Sequence, residues 1–383
     1  MINVAVIGTG YIGKVHLDAL LQMPGVQVVA LADSNLEMAQ AYAKRYRIER
    51  VTADYRDFLN DGSIHAVHNC TPNHLHYDIN LALLRAGKEV LSEKPLALNA
   101  AQARELWQTA RQHDRLTGID FCYRYYPAVQ EAAARVRAGE IGRVHSVFGA
   151  FFQDWLLYET DYNWRFEKRF SGESNTAADI GSHWMDLAQF VANSRIVEVM
   201  ADLHTIHPVR KRSKGAVLTF AKQVAGQEYE EVPIELDDSG VVMVHFENGI
   251  FGTFMINQLA AGRKVTIDLQ VFGTQASLAW NHEKPSILWM GQRDKANEVS
   301  IESPLLQHPE TARYARLPSG HPMGYHDAIY NLFSEFYDAL ELRQSGKPAS
   351  PNLPDFGDGY YEMAIVEAIV ASHRQKRWAK VEA

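Results

Sequence analysis

Residues 2–13 read INVAVIGTGYIG, and this stretch decides how the first third of the chain folds. The run Ile2–Ile7, apolar except for Asn3, fits a strand buried on both faces, as in a parallel sheet. GxGxxG follows at once, Gly8–Gly13, and then a helical pattern, KVHLDALLQM (14–23). A second apolar strand, VQVVALAD (26–33), ends at Asp33, 20 positions after Gly13. This order suits a dinucleotide. Gly8 permits the tight turn, Gly10 lets the backbone approach a pyrophosphate, and Gly13 lets helix and strand pack closely. The helix start, with Tyr11 and Ile12, offers N–H groups and a partial positive charge to the phosphates. Asp33 accepts from the ribose hydroxyls and repels a 2′-phosphate. Ser34-Asn35-Leu36 supplies no arginine to offset that repulsion, so NAD is favoured over NADP.

The alternation continues. A helix over 35–46 precedes a short apolar segment at 48–51; IHAVHNCT (64–71) reads as a strand and HLHYDINLALLRA (74–86) as a helix. KEVLS (88–92), a helix over 99–113 and a strand near 116–122 complete a doubly wound parallel α/β sheet, a Rossmann domain over 1–124. Ligands in such sheets lie beyond the C-terminal strand ends. The expected cofactor crevice therefore gathers Gly8–Gly13, Asp33, Thr71-Pro72-Asn73, Glu93-Lys94-Pro95 and Tyr123-Arg124.

From about residue 125 the pattern changes to strands: 144–155, 196–204, 241–247, 249–257, 265–273 and 276–280. Asn248-Gly249 signals a hairpin, and in VTIDLQVFG the residues Val265, Ile267, Leu269 and Val271 share one face. This predicts a second domain over 125–383. Helices at 324–343 and 358–374 are expected to pack back on the first domain. The 205–233 stretch reads as a loop insertion.

Composition narrows the function. The 383 residues carry a net charge of -8, which argues against nucleic-acid or anionic-membrane partners. The basic run Arg210-Lys211-Arg212 with Lys214 reads as a solvated surface. Two distant cysteines, Cys70 and Cys122, build neither a disulfide framework nor a thiolate zinc site. The start MINVAVIGTG lacks the charged leader of a secretory signal, and no stretch approaches the roughly 18 apolar residues of a membrane span. A soluble cytoplasmic protein is expected.

Two further stretches carry chemistry. In ADIGSHWMDLAQF (178–190), Asp179 and His183 stand four apart, a spacing that serves a catalytic pair, half a metal site or a capped helix equally well. Glu93-Lys94-Pro95 puts a lysine at the end of a buried strand, where it can stabilise a developing oxyanion or simply pair with its neighbour. GTGYIG, TPNHLH, SEKPLA and ADIGSHWMD, in this order, resemble the glucose–fructose oxidoreductase/inositol dehydrogenase family, Gfo/Idh/MocA, over nearly the whole chain. That resemblance implies a C-terminal α+β domain on a large, open, mostly antiparallel sheet, through which relatives form homodimers or homotetramers. It implies a catalytic group of Lys94, Asp179 and His183, a cis Lys94–Pro95 bond, and cofactor contacts that include His76 and Glu93.

Residues 151–165 gather Trp155, Trp164, Tyr158 and Tyr162 with Gln153, Asp154 and Arg165. Aromatic platforms with polar groups suit a pyranose, although interdomain packing uses the same residues. The QDW…WRF arrangement resembles the levoglucosan and glucoside 3-dehydrogenase branch. It implies Gln153, Trp155, Trp164 and Arg165, with Tyr123, Asp179 and His183, as substrate contacts.

The resulting expectation is NAD-dependent oxidation of a secondary ring hydroxyl of a sugar, glycoside or cyclitol, with C3 of a glucose-type ring foremost. A redox-neutral glycoside-cleaving enzyme that retains NAD is the alternative, and a dinucleotide-sensing regulator is a third reading. A metal at Asp179–His183, or at the HxxH of His204 and His207, is not expected because four ligands cannot be assembled nearby.

Overall fold

The apolar run Ile2–Ile7 is strand β1, flanked by helix α1 (Tyr11–Leu20) and β2 (Val26–Ala32). This is a computed structural model; it describes residues 1–214, 228–305, 307–347 and 352–383. The alternation goes on through α2 (Leu36–Tyr46), β3 (Arg50–Thr52), β4 (Ala66–Asn69), α3 (Asn73–Arg85), β5 (Glu89–Ser92), α4 (Ala100–Gln112) and β6 (Thr117–Ile119). The six strands pair in the order β3-β2-β1-β4-β5-β6, all parallel. Strand order reverses between β1 and β4, which opens a crevice at their C-terminal ends. Val4, Val6, Ala30, Leu31, Val67, Val90 and Leu91 are fully buried, so both faces of the sheet are covered.

The remaining elements begin with α5 (Pro127–Arg137), β7 (Val144–Phe152), the one-turn α6 (Lys168–Ser171), α7 (Ser182–Ala192) and β8 (Ile196–His204). A hairpin of β9 (Val209–Ser213) and β10 (Tyr229–Pro233) comes next. Then follow β11 (Ser239–Phe246), β12 (Phe251–Asn257), β13 (Thr266–Gly273), β14 (Ala276–Asn281), β15 (Ile287–Gln292) and β16 (Glu298–Ile301). Helices α8 (Tyr325–Gln344) and α9 (Phe356–Gln375) and the short β17 (Ala379–Lys380) close the chain. Nine strands form one open sheet, β16-β15-β14-β13-β7-β12-β11-β8-β17, antiparallel except for β7 with β12.

By internal contacts the chain divides into two units, Met1–Tyr126 with Met323–Met363, and Pro127–Pro322 with Ala364–Ala383. In the first unit, α8 packs on α1 and on the turn Cys122–Tyr125. Among the described residues no helix is long and apolar enough to cross a membrane.

Two expectations change. The 205–233 stretch is not simply a loop: β9 and β10 pair from Ser213↔Tyr229 to Val209↔Pro233, while residues 215–227 lie outside the described residues. The elements α5, α6, β15, β16 and β17 are additional to those expected. The β16 sequence EVSI is exposed and half polar, which leaves an edge strand little hydrophobic signal.

The alternation of the large sheet is cleanest in its β11 strand. In β11, Val242, Val244 and Phe246 are buried while Val241, Met243 and His245 face outward. On the buried side α7 lays down Trp184, which stacks on Phe254 at 4.3 Å between ring centroids and donates its indole N–H to the Asp268 carbonyl at 2.8 Å. Trp184→Ala should remove that packing and orphan the carbonyl, lowering unfolding stability by roughly 3–5 kcal/mol. A urea titration followed by circular dichroism reads this as a lower midpoint.

Candidate active site

The glycine turn is shaped as its chemistry requires. Gly8 has φ +88, and a Cβ there would lie 2.6 Å from the Cys70 carbonyl oxygen. A Cβ on Gly13 would lie 2.0 Å from the Gly8 carbonyl oxygen, whereas one on Gly10 would meet nothing within 4 Å. The first two glycines are therefore demanded by the protein itself, and the third leaves room for a phosphate. Gly10 caps α1 without any side-chain bond to its first N–H groups, so these suit an anionic ligand. Tyr11 is exposed beside them and Ile12 is half-buried.

Asp33 is held at the end of β2. One oxygen accepts from the Thr9 amide at 2.6 Å and the Thr9 hydroxyl at 2.7 Å, and the other from the Asn35 amide at 2.8 Å. A carboxylate offers about four acceptor sites, so these bonds fix its direction and leave capacity for a ribose hydroxyl.

The loops after β4 and β5 are braced from beneath. Thr71 donates its hydroxyl to the Asn69 amide oxygen at 2.7 Å; Asn69 donates to Asn80 at 2.8 Å, and Asn80 to Ser92 at 2.9 Å. His76, implied as a cofactor contact, is fully buried, with Nδ1 2.7 Å from the Pro95 carbonyl and Nε2 2.7 Å from that of Thr71. Burial holds its pKa below the usual value. Its place is thus a brace between two loops. Pro72 precedes α3, whose first residue is the buried Asn73. The Lys94–Pro95 bond is cis. Glu93 turns its carboxylate inward, toward His16.

After β6, Tyr123 is buried among aromatic rings, 6.2 Å from Tyr126 and 6.1 Å from Tyr325. Arg124 faces Asp358 at 3.9 Å. Both follow β6 at the C-terminal edge of the parallel sheet.

In the second unit, Asp179 lies in a π-helical turn, Ala177–Gly181, that runs directly into α7, where His183 occupies the first turn. A π-turn inside a helix is frequent at functional sites. His183 is 8 % exposed, with the Phe151 ring 6.1 Å away. Gln258, fully buried, donates to an Asp179 oxygen at 3.0 Å while its own oxygen accepts from Asn175 at 2.8 Å and Thr176 at 2.9 Å. The Arg165 Nε is 3.9 Å from the other Asp179 oxygen, and the guanidinium lies over Trp164 at 4.5 Å and Trp155 at 5.6 Å. Trp155 donates to Gln153 at 2.8 Å. Gln153, Trp155, Trp164, Arg165 and Asp179 thus form one linked polar and aromatic set. Asp154 stands apart from it, bonded to Lys264 at 2.7 Å and to the Gly262 amide at 3.0 Å.

What fixes this set was missed in the sequence. Asp237 and Asp238 are adjacent and buried. Asp237 accepts from the backbone amides of Asn175 and Thr176 at 3.0 Å and of Ala177 at 3.2 Å, capping the turn that leads to Asp179. Burial raises its pKa against the pull of these bonds. Asp238 pairs with Arg210 at 3.1 Å. Arg210, expected on a solvated surface, has no exposed area: it donates to the carbonyls of Leu156 at 3.0 Å, Tyr158 at 2.9 Å and Asp161 at 3.3 Å, and covers the Phe166 ring at 4.4 Å. The physical reason is strand alternation, since β9 points Arg210 inward while its neighbours Val209 and Lys211 are more exposed. Nothing in a run of basic residues marks the one that turns in. Of the remaining histidines considered for metal, His204 meets Asp202 at 3.1 Å and His207 meets the Leu157 carbonyl at 2.9 Å.

The cradle and its oriented Asp33 define a dinucleotide-binding protein. Residues 2–121 match the oxidoreductase family with an NAD-binding Rossmann fold, and residues 129–279 match the GFO/IDH/MocA C-terminal domain. The chain belongs to this Gfo/Idh/MocA family and is an NAD-dependent oxidoreductase. It is similar to levoglucosan dehydrogenase of Pseudarthrobacter phenanthrenivorans, with 31% identity over 99% of this chain and 98% of that protein. Similarity to D-glucoside 3-dehydrogenase of Escherichia coli is 27% identity over 65% of this chain and 68% of the relative. Among solved structures, levoglucosan dehydrogenase in complex with NADH and levoglucosan superposes with a TM-score of 0.88 at 29% identity, over 100% of both chains.

Removing the Arg210 charge should leave the buried Asp238 without its cation, met only by the amides of Ile206 at 2.8 Å and His207 at 3.4 Å. Arg210→Met is expected to destabilise the second unit by about 3–5 kcal/mol, and the double change with Asp238→Asn to recover part of that loss. Thermal unfolding of the four proteins of this cycle measures it.

Proposed function

We propose that this enzyme oxidises a secondary ring hydroxyl of a sugar or glycoside, C3 of a glucose-type ring foremost, and that Lys94, Asp179 and His183 carry the chemistry. The observation that supports it best is the linked set of Trp155, Trp164, Arg165, Asp179 and Gln258 in a chain similar over its full length to a dehydrogenase of an anhydrosugar. Aromatic faces suit the C–H faces of a pyranose, and the Arg165 fork with the Asp179 carboxylate suits its hydroxyl edge. NAD, when bound on the Gly8–Gly13 cradle, supplies the hydride acceptor. His183 takes the hydroxyl proton, the usual office of an imidazole near neutral pH. Lys94 donates a hydrogen bond to the same oxygen, and its charge favours alkoxide character. Asp179, held by Gln258, directs the ring edge and completes the polar surroundings of His183.

His183→Ala and Lys94→Ala should each lower kcat by roughly 10²-fold or more. The assay follows NADH formation against levoglucosan, glucosides, inositols and free aldoses. Near-normal turnover in both variants removes the assignment.

We also propose that the enzyme is a homodimer or homotetramer through the outer face of its large sheet, in the cytoplasm, where the free thiols of Cys70 and Cys122 stay reduced. Val241 lies opposite Met255, and Thr253 opposite both Met243 and Phe148, with Phe251 one step further along β12. Phe148, Val241, Met243, Phe251 and Met255 are all exposed and share that face. So large an apolar cluster favours a partner surface. Phe251→Glu with Met243→Glu should shift sedimentation velocity from an oligomer toward a monomer. A monomeric wild type contradicts the reading.

A further inference from the structure

Beneath the Lys94 turn the first unit buries a cluster of ionisable groups that the proposed chemistry does not use. His16 comes from α1, Glu93 from the end of β5 and Asp120 from the residue after β6. The His16 Nε2 is 3.2 Å from a Glu93 oxygen and 3.3 Å from an Asp120 oxygen, and all three residues are buried. On its other side, Nδ1 of His16 is 2.9 Å from Nδ1 of His68, whose Nε2 is 2.7 Å from the Tyr337 hydroxyl. Phe333 closes the cluster edge-on against both imidazoles, at 4.8 and 4.7 Å.

This geometry narrows where the protons can sit. Two imidazole nitrogens at hydrogen-bond distance need one N–H and one lone pair between them. If His16 donates there, His68 presents its lone pair to His16 and its N–H to Tyr337. Nε2 of His16 faces two carboxylates, and a lone pair would repel both, so it too carries a proton. A His16 cation between two buried carboxylates leaves one excess negative charge, which burial opposes. One further proton on Glu93 makes the cluster neutral.

The electrostatic balance runs the same way. Burial, then the Asp120 charge, raises Glu93 to about 7, while His16 and the hydrogen bonds to it hold Asp120 down to about 2. His16 lies well above its usual value because Cys70, Asp120 and Glu93 together outweigh its burial. The other ionisable groups around the cluster are His68, held neutral by burial, and Cys70, Cys122, Tyr325 and Tyr337, whose pKa values burial raises. Lys94 is the cation that acts on Glu93 from the loop. Glu93 is tied directly to that loop, since its second oxygen accepts from the Lys94 amide at 3.2 Å and its own amide donates to Asn69 at 2.9 Å.

We propose that His16, Glu93 and Asp120 form a buried proton-sharing triad that positions the Lys94 turn and, by holding or releasing one proton at Glu93, sets the electrostatic field at the Lys94 ammonium. This rests on the reading of Lys94 as the oxyanion donor. His16 and Asp120 are positioning residues acting through Glu93. When Glu93 ionises, a negative charge appears one residue from Lys94, and alkoxide formation beside it is disfavoured.

The test has a readout independent of catalysis. A Glu93 pKa raised from about 4.5 to about 7 means that the folded protein binds more protons than the unfolded one in that window. Wild-type stability relative to Glu93→Gln should therefore fall as pH rises from about 4.5 to about 7, and level off beyond. In Asp120→Asn the upper edge of the window should move down by about one pH unit or more, because a like charge has been removed. A flat difference in thermal midpoint between wild type and Glu93→Gln overturns the triad, as does a stoichiometric metal found by elemental analysis of the purified protein. In kinetics, the pH profile of wild-type kcat should carry a descending limb that Glu93→Gln lacks. A limb that survives in Glu93→Gln overturns the action on Lys94 even when the stability window is present. Loss of the Lys94 reading itself shows separately, as unimpaired turnover in Lys94→Ala.

Discussion

A carboxylate taken out of water must be met by donors, and at Asp237 and Asp238 two such demands fall on consecutive residues. Asp237 gathers three backbone amides and so fixes where the helix bearing Asp179 and His183 begins. Asp238 fixes Arg210, and Arg210 fixes the carbonyls of the loop that runs on to Trp164 and Arg165. A single dipeptide at the head of β11 thereby sets the helix bearing His183 and the aromatic loop in one frame. Long loops are otherwise the least determined part of a domain. Here three carbonyls converge on one guanidinium nitrogen, Nη1, while Nη2 of the same planar group meets Asp238.

The same rule orders the first unit. Asp33 is aimed by Thr9 and Asn35 before any ribose arrives. His76 ties the turn after β4 to the turn after β5, and His16 ties α1 to Glu93. The helix that offers its N-terminus to the phosphates and the loop that carries Lys94 therefore share a buried fastening. Preorganisation of this kind is what electrostatic stabilisation of a developing charge requires, because donors already in place need not reorganise during the reaction.

Much of this was legible in the residues. Gly8–Gly13 with Asp33 carried the cradle because each position answers a local steric or electrostatic need, and such needs are written in short stretches. The strands of the parallel sheet were readable as apolar runs, and Asn248-Gly249 as a hairpin, with Gly249 at φ +74. The rest depended on contacts distant in sequence. Arg210 and Lys211 look alike in a basic run, yet strand alternation buries one of them. Gln258 has no local signature, since its partners Asn175, Thr176 and Asp179 lie some eighty residues earlier. The π-turn at Ala177–Gly181 also escaped a reading by fixed helical period. Asp179 and His183 drew their meaning from the family resemblance, because a four-residue spacing alone serves capping as well as catalysis.

The claim that a ring carbon gives up hydride to NAD is tested most directly by isotope transfer. A glucoside deuterated at C3, incubated with the enzyme and NAD, should yield NADH that accumulates and carries the deuterium, with a slower rate than the unlabelled sugar. Release of the aglycone without accumulating NADH, or NADH free of label, would contradict the account.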